Sequence, residues 1–250
     1  MGLGHTIRTW ERLGSTEPLW AILNDKHKKD GAWDTDEFFR TGDEEITSVV
    51  AYLDSHGIRP RPDRALDFGC GAGRLTQALA RFFKRVTGVD AAPSMVALAQ
   101  KLNREKPQCR FLLAQTGALS LFPDQSFDFI YSSITLQHME PRYARRYLKE
   151  FFRVLASGGV MAFQLPSERI GKTREQNPFG KMFKRLIPAP LIRQYHRARY
   201  GKDAFIEMYG APRRDVTMLL ENLGARVIGV EENRDAGDDW ISFRYYALKP

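Results

Sequence analysis

The run Asp67-Phe68-Gly69-Cys70-Gly71-Ala72-Gly73 is where residue types and spacing first point to chemistry. A glycine-rich turn between a strand and a helix lets backbone come close to a ligand at the switch point of an open sheet. The dinucleotide pattern G-x-G-x-x-G is not met: the glycines fall at 69, 71 and 73, and the sixth position is Arg74. Asp67, at the mouth of the turn, would repel a pyrophosphate but suits a ligand carrying an ammonium and a sulfonium. Gly88-Val89-Asp90 then places a carboxylate at the tip of the next strand, where it can accept both hydroxyls of a ribose. His138 is the candidate for proton transfer. It follows a strand at residues 127–131, where an acceptor would approach, and an imidazole with an ordinary pKa of about 6.5 can move a proton near neutral pH. The competing reading of His138 is a structural residue near the start of the next helix.

Other reactive side chains offer less. Cys70 has no basic partner spaced to activate it and reads as a small turn residue, Cys109 as core. With two cysteines in the chain, no disulfide framework or four-Cys metal site can form. His5, His27, His56 and His196 show no metal-ligand spacing, so no metal is expected. Tyr131 reads as packing. Trp33, Phe38 and Phe39 could cover a ligand, with Gly42 allowing close approach, or simply pack within an N-terminal cap.

The elements that must position these residues alternate. Residues 1–40 read as an irregular, partly helical cap, followed by a helix from Asp43 stopped at Gly57 and a linker at Pro60 and Pro62. Strands are expected at 64–68, 86–89, 109–113, 127–131 and 160–164. Helices fall between them, one opened at Pro93 with Ser94 as its cap and another over 141–155 ended by Gly158-Gly159. A helix at about 215–223 and strands at 225–230 and 242–248 close the chain. This rhythm implies a doubly wound, mostly parallel α/β sheet of seven strands, its last two strands an antiparallel hairpin at the edge.

Residues 65–74 resemble the first motif of the class I S-adenosylmethionine methyltransferases, and Gly88-Val89-Asp90 with Ser94-Met95 resembles their second. Residues 122–128 are similar to that family's lead into strand four, and residues 153–159 to its turn into strand five. The resemblance covers about 64–164 in correct order. It implies S-adenosylmethionine as cofactor, S-adenosylhomocysteine as product, and a cofactor-binding set of Asp67, Gly69, Cys70, Gly71, Arg74, Asp90, Ala91, Met95, Thr116, Gly117, Ala118 and Ser132. In that set the glycine turn holds the methionine end, Asp90 the ribose, Thr116 to Ala118 the adenine, and Ser132 the amino group. One departure is the stretch 114–118, which lacks the acid that receives the adenine amine in many relatives. Adenine recognition would then rest on backbone amides and on Gln115 or Thr116.

The chain has 250 residues, 43% hydrophobic and 27% charged, the profile of a globular protein and not of a disordered one. No run approaches the roughly eighteen apolar residues of a membrane span, and no signal peptide is evident, so the cytoplasm is the expected compartment. Net charge is +8, and it is local. Between Arg169 and Lys202 stand ten Lys or Arg against the single acid Glu175. Aromatic and aliphatic residues interleave with them, which suits an acidic acceptor, an anionic membrane surface, RNA, or a solvated helical lid. The organisation expected is a cap over 1–60 and a catalytic domain over 61–250 with a basic lid inserted at about 166–211. The loop after strand four lacks the motifs of base methylators, so a small-molecule acceptor is favoured over nucleic acid. The expected reaction is methyl transfer to an oxygen or nitrogen of a small, acidic or lipid-linked acceptor. The rivals are a non-catalytic cofactor-, RNA- or membrane-binding module on the same fold, and a nicotinamide enzyme, which the glycine spacing disfavours.

Overall fold

A computed structural model describes residues 3–104, 106–115, 118–170 and 207–250. The expected basic lid falls almost wholly on 171–206, and Thr116 and Gly117 fall in the gap before Ala118, so these lie outside the described residues.

Seven strands form one sheet in the order β3-β2-β1-β4-β5-β7-β6. They are β1 (Arg64–Phe68), β2 (Arg85–Asp90), β3 (Cys109–Leu113), β4 (Phe127–Ser132), β5 (Leu155–Arg169), β6 (Arg226–Asn233) and β7 (Trp240–Leu248). β1 to β5 pair in parallel, and β7 runs antiparallel to both β5 and β6. The strand order reverses between β1 and β4, and ligands of open α/β sheets sit beyond that point.

Side chains of a strand alternate between faces. Leu66, Phe68 and Ile130 point to one apolar layer, covered by α6 (Pro141–Val154) and α7 (Arg213–Asn222). Ala65, Phe129 and Tyr131 point to the other, covered by α3 (Thr35–Ser55), α4 (Arg74–Leu79) and α5 (Pro93–Lys101). Helix α3 begins earlier than the expected Asp43 because Asp34 caps it, its carboxylate accepting from the Glu37 amide at 2.8 Å. Phe38, Phe39 and Gly42 continue the buried stripe of Ile46, Val49 and Leu53 by helical spacing. The second half of α3 therefore packs as a layer on the sheet.

Two further expectations are corrected. Ser94 does not cap α5, since the cap position is Ala92; the Ser94 amide and hydroxyl donate instead to the Glu11 carboxylate at 3.0 and 2.9 Å. Gly158-Gly159 does not end a helix. α6 passes directly into β5 at Leu155, and the glycines sit where the β4–β5 register shifts, bonded to Lys249 of the chain end. β5 also runs beyond the expected 164 to Arg169, because β7 continues to pair with it there.

Helices α1 (Leu3–Thr16) and α2 (Pro18–Ile22) lie over the switch point. Leu13 and Ala21 pack on Ala92 and Met95 of the β2–α5 connection, with Trp10 and Ile22 alongside.

Candidate active site

A cavity opens beyond the C-terminal ends of β1, β2 and β4, roofed by Thr6, Ile7 and Trp10 of α1 and Ile22 of α2. Gly69 and Gly71 form its floor with φ of +77° and +50°. A Cβ on Gly69 would run into the Thr135 side chain down to its Cβ, and at both Gly69 and Gly71 the positive φ strains any other residue.

Asp90 lies on the cavity wall with Ala91 and Met95. One carboxylate oxygen accepts from the Gly71 amide at 3.0 Å and the other from Ala92 at 2.9 Å. Burial raises its pKa, and those backbone donors oppose the rise. A carboxylate oxygen has more than one lone pair, so each can receive a further hydroxyl donor from the cavity side.

Other members of the sequence-derived set face away. Asp67 shares the face of Ala65, as strand alternation requires, and is fully buried behind the turn. Its Oδ2 accepts from the Thr76 hydroxyl at 2.6 Å, its Oδ1 has no partner among the described residues, and burial lifts its pKa to about 7. It is therefore not at the mouth of the turn. Arg74 is buried against α3, its guanidinium 2.7 Å from Glu45. Burial raises Glu45, but Arg74 and Arg244, with the Tyr131 hydroxyl 2.7 Å away, outweigh it and hold the carboxyl below its usual range. Cys70 is buried, and desolvation with the nearby Asp90 and Asp67 pushes its thiol far up, while burial moves Cys109 to about 11. Ser132 donates to the Phe68 carbonyl at 3.0 Å and is sealed in the sheet. Ala118 is not among the residues lining the cavity. Among the described residues no group of His, Cys, Asp and Glu could hold a metal ion, and no helix is long and apolar enough to cross a membrane.

The residues after β4 line the cavity where Ser132 does not. Ser133, Ile134 and Thr135 all contribute, and the Ser133 hydroxyl is buried with no partner among the described residues. His138 lines it too, its ring meeting Trp10 edge-on at 5.1 Å. Burial keeps the imidazole neutral, lowering its pKa to about 4. Its Nδ1 lies 3.1 Å from the Glu207 carbonyl and its Nε2 3.1 Å from the Gln137 amide nitrogen, so neither ring nitrogen is free.

Sequence reasoning missed Trp10 and Ile22, and cast Trp33, Phe38 and Phe39 as the possible cover. These three pack instead around Ala72, Leu98 and Leu102, and Gly42 lets α3 approach the Arg74 backbone. The usable signal was the amphipathic run 3–16, whose apolar stripe has to cover something.

Residues 66–163 match a family model described as a methyltransferase domain. A trans-aconitate 2-methyltransferase of Variovorax paradoxus (strain S110) is 32% identical over 133 residues, which cover 52% of this chain and 49% of that protein. A malonyl-[acyl-carrier protein] O-methyltransferase of Halorhodospira halophila is 35% identical over 111 residues, 42% of this chain and 36% of that one. The chain spans about half the length of the curated relatives it matches. Among solved structures, magnesium protoporphyrin IX methyltransferase from Synechocystis PCC 6803 shares the fold. Its TM-score is 0.61 at 19% identity, covering 97% of this chain and all of that one. Glycine turn, strand-two carboxylate, sheet order and family model agree: residues 66–163 match a methyltransferase domain, and the chain is similar to the class I S-adenosylmethionine-dependent methyltransferases.

Proposed function

We propose that the protein transfers the methyl group of S-adenosylmethionine to an oxygen of a small carboxylic acid. The observation that carries the cofactor is Asp90, pinned by two backbone amides on the wall of a cavity floored by Gly69 and Gly71. The orphaned Ser133 hydroxyl and the apolar Ala91 and Met95 also suit such a ligand, offering one polar contact and an apolar bed for a flat base. When bound, the cofactor supplies a methyl group made electrophilic by a positive sulfur. The chain's own work is to bind, orient and exclude water. Asp90 accepts the ribose hydroxyls, the glycine turn admits the methionine end, and Ile7, Trp10 and Ile22 keep bulk water out. Rate then comes mainly from positioning.

The carboxylate acceptor rests on two supports. The relatives named above act, by their names, on trans-aconitate and on a malonyl group. A carboxylate is already ionised at neutral pH and needs no base. His138, whose nitrogens are both engaged, acts on this reading as wall and not as base. Incubating the whole chain with S-adenosylmethionine and a panel of trans-aconitate, a malonyl thioester, a catechol and a primary amine tests it. Base-labile methyl esters in the mass spectrum are the expected outcome. Methylation confined to the amine or the catechol overturns the acceptor, and failure to bind S-adenosylmethionine overturns the cofactor.

A further inference from the structure

Ile134 has φ of +56°, a left-handed conformation that β-branched residues seldom adopt. Its amide donates to Gln164 Oε1 at 3.1 Å, across from β4 to the fully buried Gln164 on β5. That one bond decides a chain of others. A backbone N–H can only donate, so the carboxamide oxygen must face Ile134 and the Gln164 Nε2 must face its other two neighbours. These are Gln137 Oε1 at 3.0 Å and Ser242 Oγ at 2.7 Å. With its oxygen so engaged, Gln137 turns its own Nε2 to His138 Nε2 at 3.1 Å. An amide nitrogen cannot accept, so that ring nitrogen must carry the lone pair and the proton must sit on Nδ1. Nδ1 in turn faces the Glu207 carbonyl at 3.1 Å, which can only accept. The chain thus begins and ends on backbone groups of single role, and every link agrees.

We propose that Gln164 is a positioning residue. Through Gln137 it sets His138 in the Nδ1–H tautomer, and through Ile134 it holds the left-handed turn after β4. Two adjoining walls of the cavity, Ile134 and His138, are thereby fixed by one side chain that does not itself line it. The same relay reaches the segment that returns to the sheet after residue 206, since Tyr209 donates its amide to the Gln137 carbonyl at 2.7 Å. Calling this side the acceptor side rests on the methyltransferase reading; the relay itself does not.

The titratable groups around His138 do not account for its state. Asp90 stands across the cavity on β2 and Tyr147 on α6, both lining it. Glu140, two residues along the same connection, pairs with Arg142 at 2.9 Å, and the Glu207 carboxylate receives the Tyr209 hydroxyl. Burial and the Glu207 carbonyl are what bear on the ring.

Gln164→Glu inverts the relay. One oxygen of the introduced carboxylate keeps the Ile134 amide, but the other cannot donate to Gln137. The Gln137 amide then turns, giving its nitrogen to that carboxylate and its oxygen to His138. Both ring nitrogens now face acceptors, which favours the imidazolium. The experiment is long-range proton–nitrogen NMR of the histidine rings in the whole chain. In the parent, His138 should show the neutral Nδ1–H pattern down to about pH 5, since burial holds its pKa near 4. In Gln164→Glu its titration midpoint should rise by more than one pH unit, while calorimetric affinity for S-adenosylmethionine changes less than threefold. Gln137→Glu, which sets an acceptor directly against Nε2, should raise the midpoint as well and serves if the first variant does not fold. An Nε2–H pattern in the parent overturns the proposal, as does a parent-like midpoint in the folded variants. If the methyltransferase reading fails, the calorimetry shows no S-adenosylmethionine binding while the NMR result stands.

Discussion

At the scale of single residues, two buried groups should tilt stability with pH in opposite senses. The Asp67 carboxyl is held at about 7 in the fold against an ordinary 3.8. Between those values the native state binds more protons than the unfolded chain, so its contribution to stability falls as pH rises. His138 is held at about 4 against 6.5. There the unfolded chain binds more protons, so stability falls as pH drops from 6.5 toward 4. Each effect is on the order of 3 kcal/mol at full extent. Urea unfolding at pH 4.5, 6 and 8 separates them. Asp67→Asn should gain on the parent as pH rises, and His138→Gln should gain as pH falls; a constant difference for either variant removes that assignment. Asp90→Ala should weaken calorimetric binding of S-adenosylmethionine by roughly 1–3 kcal/mol, the usual cost of losing charge-assisted hydrogen bonds. Unchanged affinity would place the ribose elsewhere.

At the scale of elements, α1 is the part most exposed to a single change. It meets the domain through Leu13 on Met95 and through Glu11, whose carboxylate takes both the amide and the hydroxyl of Ser94 on α5. That pair substitutes for a local cap at a helix whose own cap residue, Ala92, has no polar side chain. Glu11→Ala should therefore cost about 1 kcal/mol locally. It should also speed hydrogen exchange in residues 4–16 well before the sheet is affected. Because Thr6, Ile7 and Trp10 roof the cavity, the same variant should release S-adenosylhomocysteine faster in stopped-flow experiments. Exchange in α1 equal to that of the parent would show that Glu11 does not fasten the roof.

At the scale of the whole molecule, the cavity is shared by α1, α2, β1, β2 and the loop after β4, so a ligand there ties both halves of the sheet to the roof. Binding to the folded state alone stabilises by mass action, roughly 2.7 kcal/mol at a hundredfold excess over Kd. For a chain of this size that corresponds to a Tm rise of about 5–10 °C. S-adenosylmethionine and S-adenosylhomocysteine should both produce it in a thermal scan, and NAD should not. A shift with NAD alone would contradict the reading of the glycine turn.

The sequence alone determined the sheet, its order of elements and part of the lining of one cavity, because those are written in short-range terms. Short apolar runs alternating with helical ones, a turn that needs glycine at 69 and 71, and an acid at a strand tip are all local patterns. Gly69, Gly71, Asp90, Ala91, Met95 and His138 do line one cavity. What lay beyond the sequence is the direction in which side chains meet partners far along the chain. Asp67 looked like a ligand to the cofactor, but alternation along β1 turns it toward Thr76 and away from the cavity. Arg74 looked like part of the turn, but Glu45, 29 residues earlier, holds it against α3. The His138 imidazole looked like a candidate base, but Gln137 and the Glu207 carbonyl engage its two nitrogens, and Gln164, brought beside the turn after β4 by the β4–β5 pairing, binds Gln137 in turn. Burial and hydrogen bonding between distant residues depend on how strands and helices stack, and only the tertiary structure decides that.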